Sequence, residues 1–243
     1  MQTKTFFRLV NPKYEPINNV IDTDIADMPS RMKRSVELLP LFNILLPFWI
    51  ESKVQLDTAF DCMLKMSVYL KDVQIIESQG GTILPTSLIN PNEKLSEIPL
   101  ITLKKIIFPY YDLYNQTGMS IDYDDLPYIW EFLWAVVRKN FYPDKLDRFK
   151  SIFLFDSIEK AQCFQNNIDP LHERVICNVK LIETRAMDGF DMGWLDNIPT
   201  DCTFEEMMKY VRNYWEGKTT SEPTIEYLFS GCYSLKELYP HPK

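Results

Sequence analysis

The strand-like segments of this chain sit towards its two ends, and that separation constrains the fold more than any other feature. Thr5–Val10 (TFFRLV) is β-branched, aromatic and apolar around one charged residue, Arg8, and Asn11-Pro12 stops the run, as expected of a first strand. Comparable segments return only after Pro143. Between them apolar residues recur at helical spacing, at Val54, Phe60, Leu64 and Val68 within Ser52–Leu70, and again in Leu126–Asn140. The pattern predicts an α+β protein folded as a single domain over residues 1–243, with a core from 1–12 and 143–243 and a mainly helical insertion over 13–142.

Strand and helix alternate in the C-terminal part. Lys150–Phe155 (KSIFLF) reads as a strand, and Asp156-Ser157-Ile158-Glu159 as a capping box that opens a short helix through Phe164. Val175–Glu183 alternates apolar with polar positions and gives another strand. Thr203–Trp215 gives a helix, with Thr203 and Glu206 at capping-box spacing. Thr224–Phe229 is the last strand, and Ser230-Gly231 a turn or bulge. Glu77–Pro99, with Gly80-Gly81, Pro85, Pro91 and Pro99, reads as irregular surface loop.

Composition excludes several chemistries. With 26 basic and 34 acidic residues, a formal net charge of −8, the chain repels a phosphate backbone. The local clusters Arg31, Lys33 and Arg34, and Lys104 with Lys105, read as solvated faces. The five cysteines are odd in number and form no Cys-x-x-Cys pair, which argues for reduced core residues and against a disulfide framework or a metal site. Only His172 and His241 could support histidine chemistry, the first in a turn-like stretch and the second near the C-terminus. Seven glycines build no phosphate cradle. Gly217-Lys218-Thr219 resembles the end of a P-loop, but Arg212 stands where that motif has glycine, so it reads as a helix C-cap followed by a polar turn. The first residues lack the apolar stretch of a signal peptide, and the most hydrophobic window, Leu38–Ile50, is interrupted by Pro40 and Pro47. A cytoplasmic protein without a membrane partner is expected.

Three segments carry a resemblance: FFRLV at the start, DRFKSIFLFDSIEKAQCF in the middle and YWEGKTTSEPTIEYLFSG near the end. Together they resemble a bacterial family, a domain of unknown function, whose core is similar to that of the ADP-ribosyltransferases. The resemblance covers residues 4–12 and 143–238 and implies a split β-sheet core with NAD held in a cleft. It implies that Glu226 is catalytic, that Arg8 and Arg148 hold the phosphates of NAD, and that Ser151, Phe153 and Phe155 line the nicotinamide pocket. NAD would be a substrate, ADP-ribose would pass to a protein or nucleic-acid acceptor, and a toxin or phage-defence role would bring a neutralising protein partner.

Chemistry supports those residue types. Breaking the nicotinamide–ribose bond passes through a ribosyl cation, which a fixed carboxylate stabilises while binding a sugar hydroxyl. A guanidinium pairs with phosphates through forked, charge-assisted contacts. Strand alternation puts Glu226 on one face with Leu228, opposite Ile225, Tyr227 and Phe229. The first strand carries no histidine, no Ser-Thr-Ser follows the middle strand, and Thr224 stands where arginine-modifying toxins carry Glu or Gln, which leaves the acceptor open. The alternatives are a non-enzymatic interaction protein on a transferase scaffold, binding through the helical region that bears Trp49, Trp130 and Trp134, and an NAD glycohydrolase.

Overall fold

Alternation of apolar side chains along extended segments builds the β part of the protein, and 3.6-residue periodicity builds the helical part. The computed structural model describes residues 5–25, 30–168 and 174–237. The strands are β1 (Phe6–Val10), β2 (Val20–Asp22), β3 (Ile83–Pro85), β4 (Glu97–Pro99), β5 (Ile152–Phe155), β6 (Val175–Asp191) and β7 (Ile225–Glu237). The helices are α1 (Ser30–Glu37), α2 (Leu39–Ser52), α3 (Leu56–Leu64), α4 (Met66–Ser78), α5 (Leu100–Thr117), α6 (Leu126–Phe141), α7 (Ile158–Ile168), α8 (Gly193–Asp196) and α9 (Phe204–Trp215). The protein is α+β, and the chain divides into two compact units.

The first unit takes residues up to 29, 135–196 and 213–243. Its sheet runs β2-β7-β5-β1-β6, and a further antiparallel pairing of β6 with β7 closes β6, β1, β5 and β7 into a ring. Each strand therefore has an inner and an outer face. Phe6, Val10, Ile152, Leu154, Val175, Cys177, Val179, Phe229, Tyr233 and Leu235 share the inner face and form its apolar core. On the outer face, Leu9, Phe155 and Ile176 pack with Ala161 of α7 and with Met192. Ser157 caps α7 by accepting from the Lys160 N–H at 3.3 Å, while Asp156 pairs with the Lys160 ammonium at 2.8 Å. The cap is thus Ser157, as expected of the residue that immediately precedes the helix within Asp156–Glu159.

Two strands run further than alternation predicts. β6 continues from Val175 to Asp191 and β7 from Ile225 to Glu237, with register shifts at Leu181/Glu183 and Thr184/Ala186 that break the period. Gly231 lies at such an irregularity with φ +150°, and a Cβ there would overlap the carbonyl oxygen of Glu183. Thr23 clasps the same point: its N–H donates to the Gly231 carbonyl at 3.1 Å, and its Oγ1 accepts from the Gly231 N–H at 3.0 Å.

The second unit takes residues 30–134 and 197–212. Its core is built from Leu41, Phe42, Leu45 and Trp49 of α2, Phe60 of α3, Leu103 and Ile106 of α5 and Leu133 of α6, all buried. Trp49 and Trp134 are fully buried and Trp130 is partly so, which makes two of the three helical-region tryptophans core residues. Glu77–Pro99 is more ordered than a loop. β3 and β4 pair there through Leu84↔Ile98, both of which are buried. Three-residue strands among prolines are too short to display alternation. At the start of α9, Thr203 Oγ1 accepts from the Glu206 N–H at 3.3 Å and the Glu206 carboxylate accepts from the Thr203 N–H at 2.8 Å, completing the expected capping box.

Cys62, Cys177 and Cys202 are buried thiols, whereas Cys163 is exposed and Cys232 partly exposed, so the reading of all five as core residues fails at those two. The expectations for His172 and His241 lie outside the described residues, as do the side chains of Arg31 and Lys33. Among the described residues no helix is long and apolar enough to cross a membrane. Gly231→Ala is expected to lower stability by about 2 kcal/mol, because the added methyl meets the Glu183 backbone and the buried Phe229 ring. Urea denaturation monitored by tryptophan fluorescence measures it.

Candidate functional site

Period-two alternation decides which of the predicted site residues can meet. Phe7 pairs with Phe155 and Phe155 with Glu226, so these three lie in one row across the sheet and share the outer face. Arg8, one residue on from Phe7, points inward, where it shares a face with its register partner Cys177. Arg8 and Glu226 therefore occupy opposite faces and cannot grip one ligand together. This corrects the expectation that both flank one cleft.

The Arg8 guanidinium is held by Glu15 in a forked contact, Nε to Oε2 at 2.9 Å and Nη2 to Oε1 at 2.8 Å, and Nη1 donates to the Phe153 carbonyl at 3.3 Å. The Tyr233 hydroxyl adds a bond to Glu15 at 3.2 Å. Burial opposes the charge on Arg8, but Glu15 beside it wins, and the pKa is raised. Arg8 thus ties the chain after β1 to the inside of the ring instead of binding phosphate.

On the outer face a different cluster forms. Glu226 Oε1 accepts from the Tyr214 hydroxyl at 2.7 Å and from Nη1 of Arg148, and Arg148 Nη1 also donates to the Tyr214 oxygen. Arg148 is 4% exposed and Glu226 2%. Arg148 stands in a short 3₁₀ turn, Arg148–Lys150, whose start is capped by Asp147 accepting from the Phe149 N–H at 3.0 Å. Its guanidinium lies 4.8 Å from the ring centre of Phe153, a cation against an aromatic ring, and meets Tyr214 at its hydroxyl end. Two buried charges cost desolvation energy, and this pair offsets it with a direct ion contact, a phenol hydroxyl and the Phe153 ring.

The structure therefore brings Arg148, Phe153 and Glu226 together. Ser151, from the same stretch, is buried, and its Oγ has no hydrogen-bond partner among the described residues. Phe155 belongs elsewhere. It is 1% exposed and packs 5.2 Å from the ring of Phe164 on α7, so it is a core residue rather than a ligand surface. Phe153 keeps part of its surface accessible. The Arg148 guanidinium is ion-paired with Glu226.

Sequence reasoning missed Tyr214, Phe190 and Asp191. Phe190 is the register partner of Glu226 on β6, and its ring stacks on Tyr214 at 4.7 Å and 24°. Asp191 ends β6 and accepts from the N–H of Gly193 at 2.9 Å, the N–H and hydroxyl of Thr220 at 2.6 and 2.7 Å, and the N–H of Thr224 at 2.9 Å. It thereby fastens the polar segment after α9 beside the start of β7. The available signal for Tyr214 was the aromatic pair Tyr214-Trp215 at a helix end before Gly217.

The described members of the basic clusters are ion-paired. Arg34 pairs with Asp125 at 2.8 Å, Lys105 with Glu51 at 2.6 Å, and Lys104 with Glu77. Among the described residues no group of three or more His, Cys, Asp or Glu side chains is placed to hold a metal ion.

Residues 110–238 match the model of a family described as "Protein of unknown function (DUF2441)". The chain belongs to the DUF2441 family. The matched segment contains every member of the outer-face cluster, Arg148, Phe153, Phe190, Tyr214 and Glu226, and leaves out Arg8 and Glu15. No curated protein matches the chain.

For this DUF2441 protein, Asp191 makes stability depend on acid. Burial pushes its pKa up, but the donors from Thr220, Gly193 and Thr224 outweigh it and leave the pKa below the ordinary 3.8. The carboxylate's contribution is complete above about pH 4 and is lost as pH falls through the depressed folded-state value. Asp191→Asn is expected to lower stability at neutral pH by about 2 kcal/mol and to remove this part of the acid dependence. Denaturant titrations across pH on both proteins test it.

Proposed function

We propose that this protein is an NAD-dependent ADP-ribosyltransferase whose catalytic residue is Glu226, on a core of the split-sheet transferase kind. One observation carries the reading: Arg148 and Tyr214 both load Oε1 of a single carboxylate on the outer face of β7, so that the acid is oriented while Oε2 is spared from that pair. A carboxylate so held suits a developing ribosyl cation, with Oε2 available to a ribose hydroxyl. The reading starts from the segments FFRLV, DRFKSIFLFDSIEKAQCF and YWEGKTTSEPTIEYLFSG, which resemble a family whose core is similar to that superfamily.

In the proposed reaction the bond from ribose C1′ to the nicotinamide nitrogen breaks, and its electron pair leaves with nicotinamide. Glu226 stabilises the cation that remains. An acceptor nucleophile then bonds to C1′ and gives up its proton. Phe153, partly accessible beside Arg148, offers a ring face for nicotinamide, and Ser151 offers a buried hydroxyl without a hydrogen-bond partner among the described residues. Arg148 holds the acid; Arg8 has no part in the site. The acceptor is a protein or nucleic acid, and water in its place makes the protein an NAD glycohydrolase.

The near-complete burial of Arg148 and Glu226 favours a second reading, in which the cluster is a structural knot on a non-enzymatic interaction protein. Incubation of the purified protein with NAD decides between them. The transferase reading expects nicotinamide release, lowered at least a hundredfold by Glu226→Gln with the fold intact by circular dichroism. No release by the wild type and no heat of NAD binding in calorimetry would leave the structural reading standing.

A further inference from the structure

We infer that Tyr214 is a positioning residue that aims the Glu226 carboxylate, an inference that rests on the proposed transferase reading. The hydrogen-bond chemistry of the three groups permits one arrangement. A guanidinium only donates and an ionised carboxylate only accepts, so the phenol between them accepts from Arg148 Nη1 and donates to Glu226 Oε1. The hydroxyl proton therefore points at one chosen oxygen of the acid.

That direction is built into the backbone on both sides. The Tyr214 ring is stacked on Phe190 at 4.7 Å and meets Trp215 edge-on at 4.9 Å and 89°, which blocks rotation about its side-chain bonds. The helix ends just beyond it in a Schellman turn. Lys218 N–H donates to the Asn213 carbonyl at 3.0 Å, and Gly217 N–H, at a residue with φ +70°, donates to the Tyr214 carbonyl at 2.9 Å. Asp191 then binds Thr220 and Thr224 on the way to β7. Tyr214 and Glu226 are thus the two ends of one segment whose middle is fastened at two points.

Tyr214→Phe removes only the oxygen and keeps the ring stack. The expected result is a kcat for nicotinamide release lowered about ten- to a hundredfold, the cost of one hydrogen bond to a charged group, with KM for NAD within about twofold of wild type. Unchanged kcat overturns the inference. So does a fall in kcat matched by a rise in KM and a lower melting temperature, which marks a merely structural tyrosine. Denaturation of Tyr214→Phe, Glu226→Gln and the double variant supplies a readout free of activity, and the two substitutions are expected to be non-additive. An inactive wild type with non-additive substitutions removes the transferase reading and keeps the orienting contact. Additive substitutions remove the contact, whatever the wild type's activity.

Discussion

Closure of the ring by the pairing of β6 with β7 is the constraint from which the rest of the first unit follows. Once four strands close on themselves, each side chain is committed to inside or outside by parity alone, and a shift of one residue would exchange the sets. The apolar core lies on the inner face, and Arg8 is tolerated beside it because Glu15 neutralises it. The outer set splits in two. One part is covered by α7 with Phe155 and Phe164, and the other carries Glu226, Phe190 and Phe153 with Arg148 and Tyr214.

The outer cluster is assembled from separate stretches of chain, and none of them can place its side chain alone. Arg148 comes from a capped turn before β5, Glu226 from the first residues of β7, Tyr214 from the last turn of α9 and Phe190 from the end of β6. Desolvating an arginine and a glutamate is costly, and their mutual attraction offsets it only when geometry is close and the remaining valences are met. Tyr214 meets one such valence on each partner, and the Phe153 ring lies against the guanidinium. Asp191, wholly inside the fold with four donors on it, stands behind the cluster and holds its supporting segment still.

Local chemistry was legible wherever it acted over a few residues. The capping box at Thr203 and Glu206, the C-cap at Gly217 and strands within Thr5–Val10, Lys150–Phe155 and Thr224–Phe229 follow from neighbours in sequence, with the strands beginning at Phe6, Ile152 and Ile225 and Lys150 lying in the 3₁₀ turn before β5. β2 was not legible, because three residues with exposed Val20 carry no alternation and exist as a strand only through β7. The far halves of β6 and β7 escaped for a related reason: register shifts break the period on which pattern reading relies. Arg148 and Glu226 could be nominated from residue type and resemblance, but their mutual contact spans 78 positions of chain.

Sequence by itself determined the α+β class, the strand-rich ends around a helical stretch, the helix caps and the residue types able to carry charge in an extended segment. These depend on periodicity and on hydrogen bonds between near neighbours. Only the tertiary structure decided that Arg8 turns inward to Glu15, that Phe155 lies under α7, and that Glu226 meets Arg148 and Tyr214 on the outer face. Such outcomes depend on which strands pair and in what register, and the parity of a strand becomes inside or outside only when its partners close the ring.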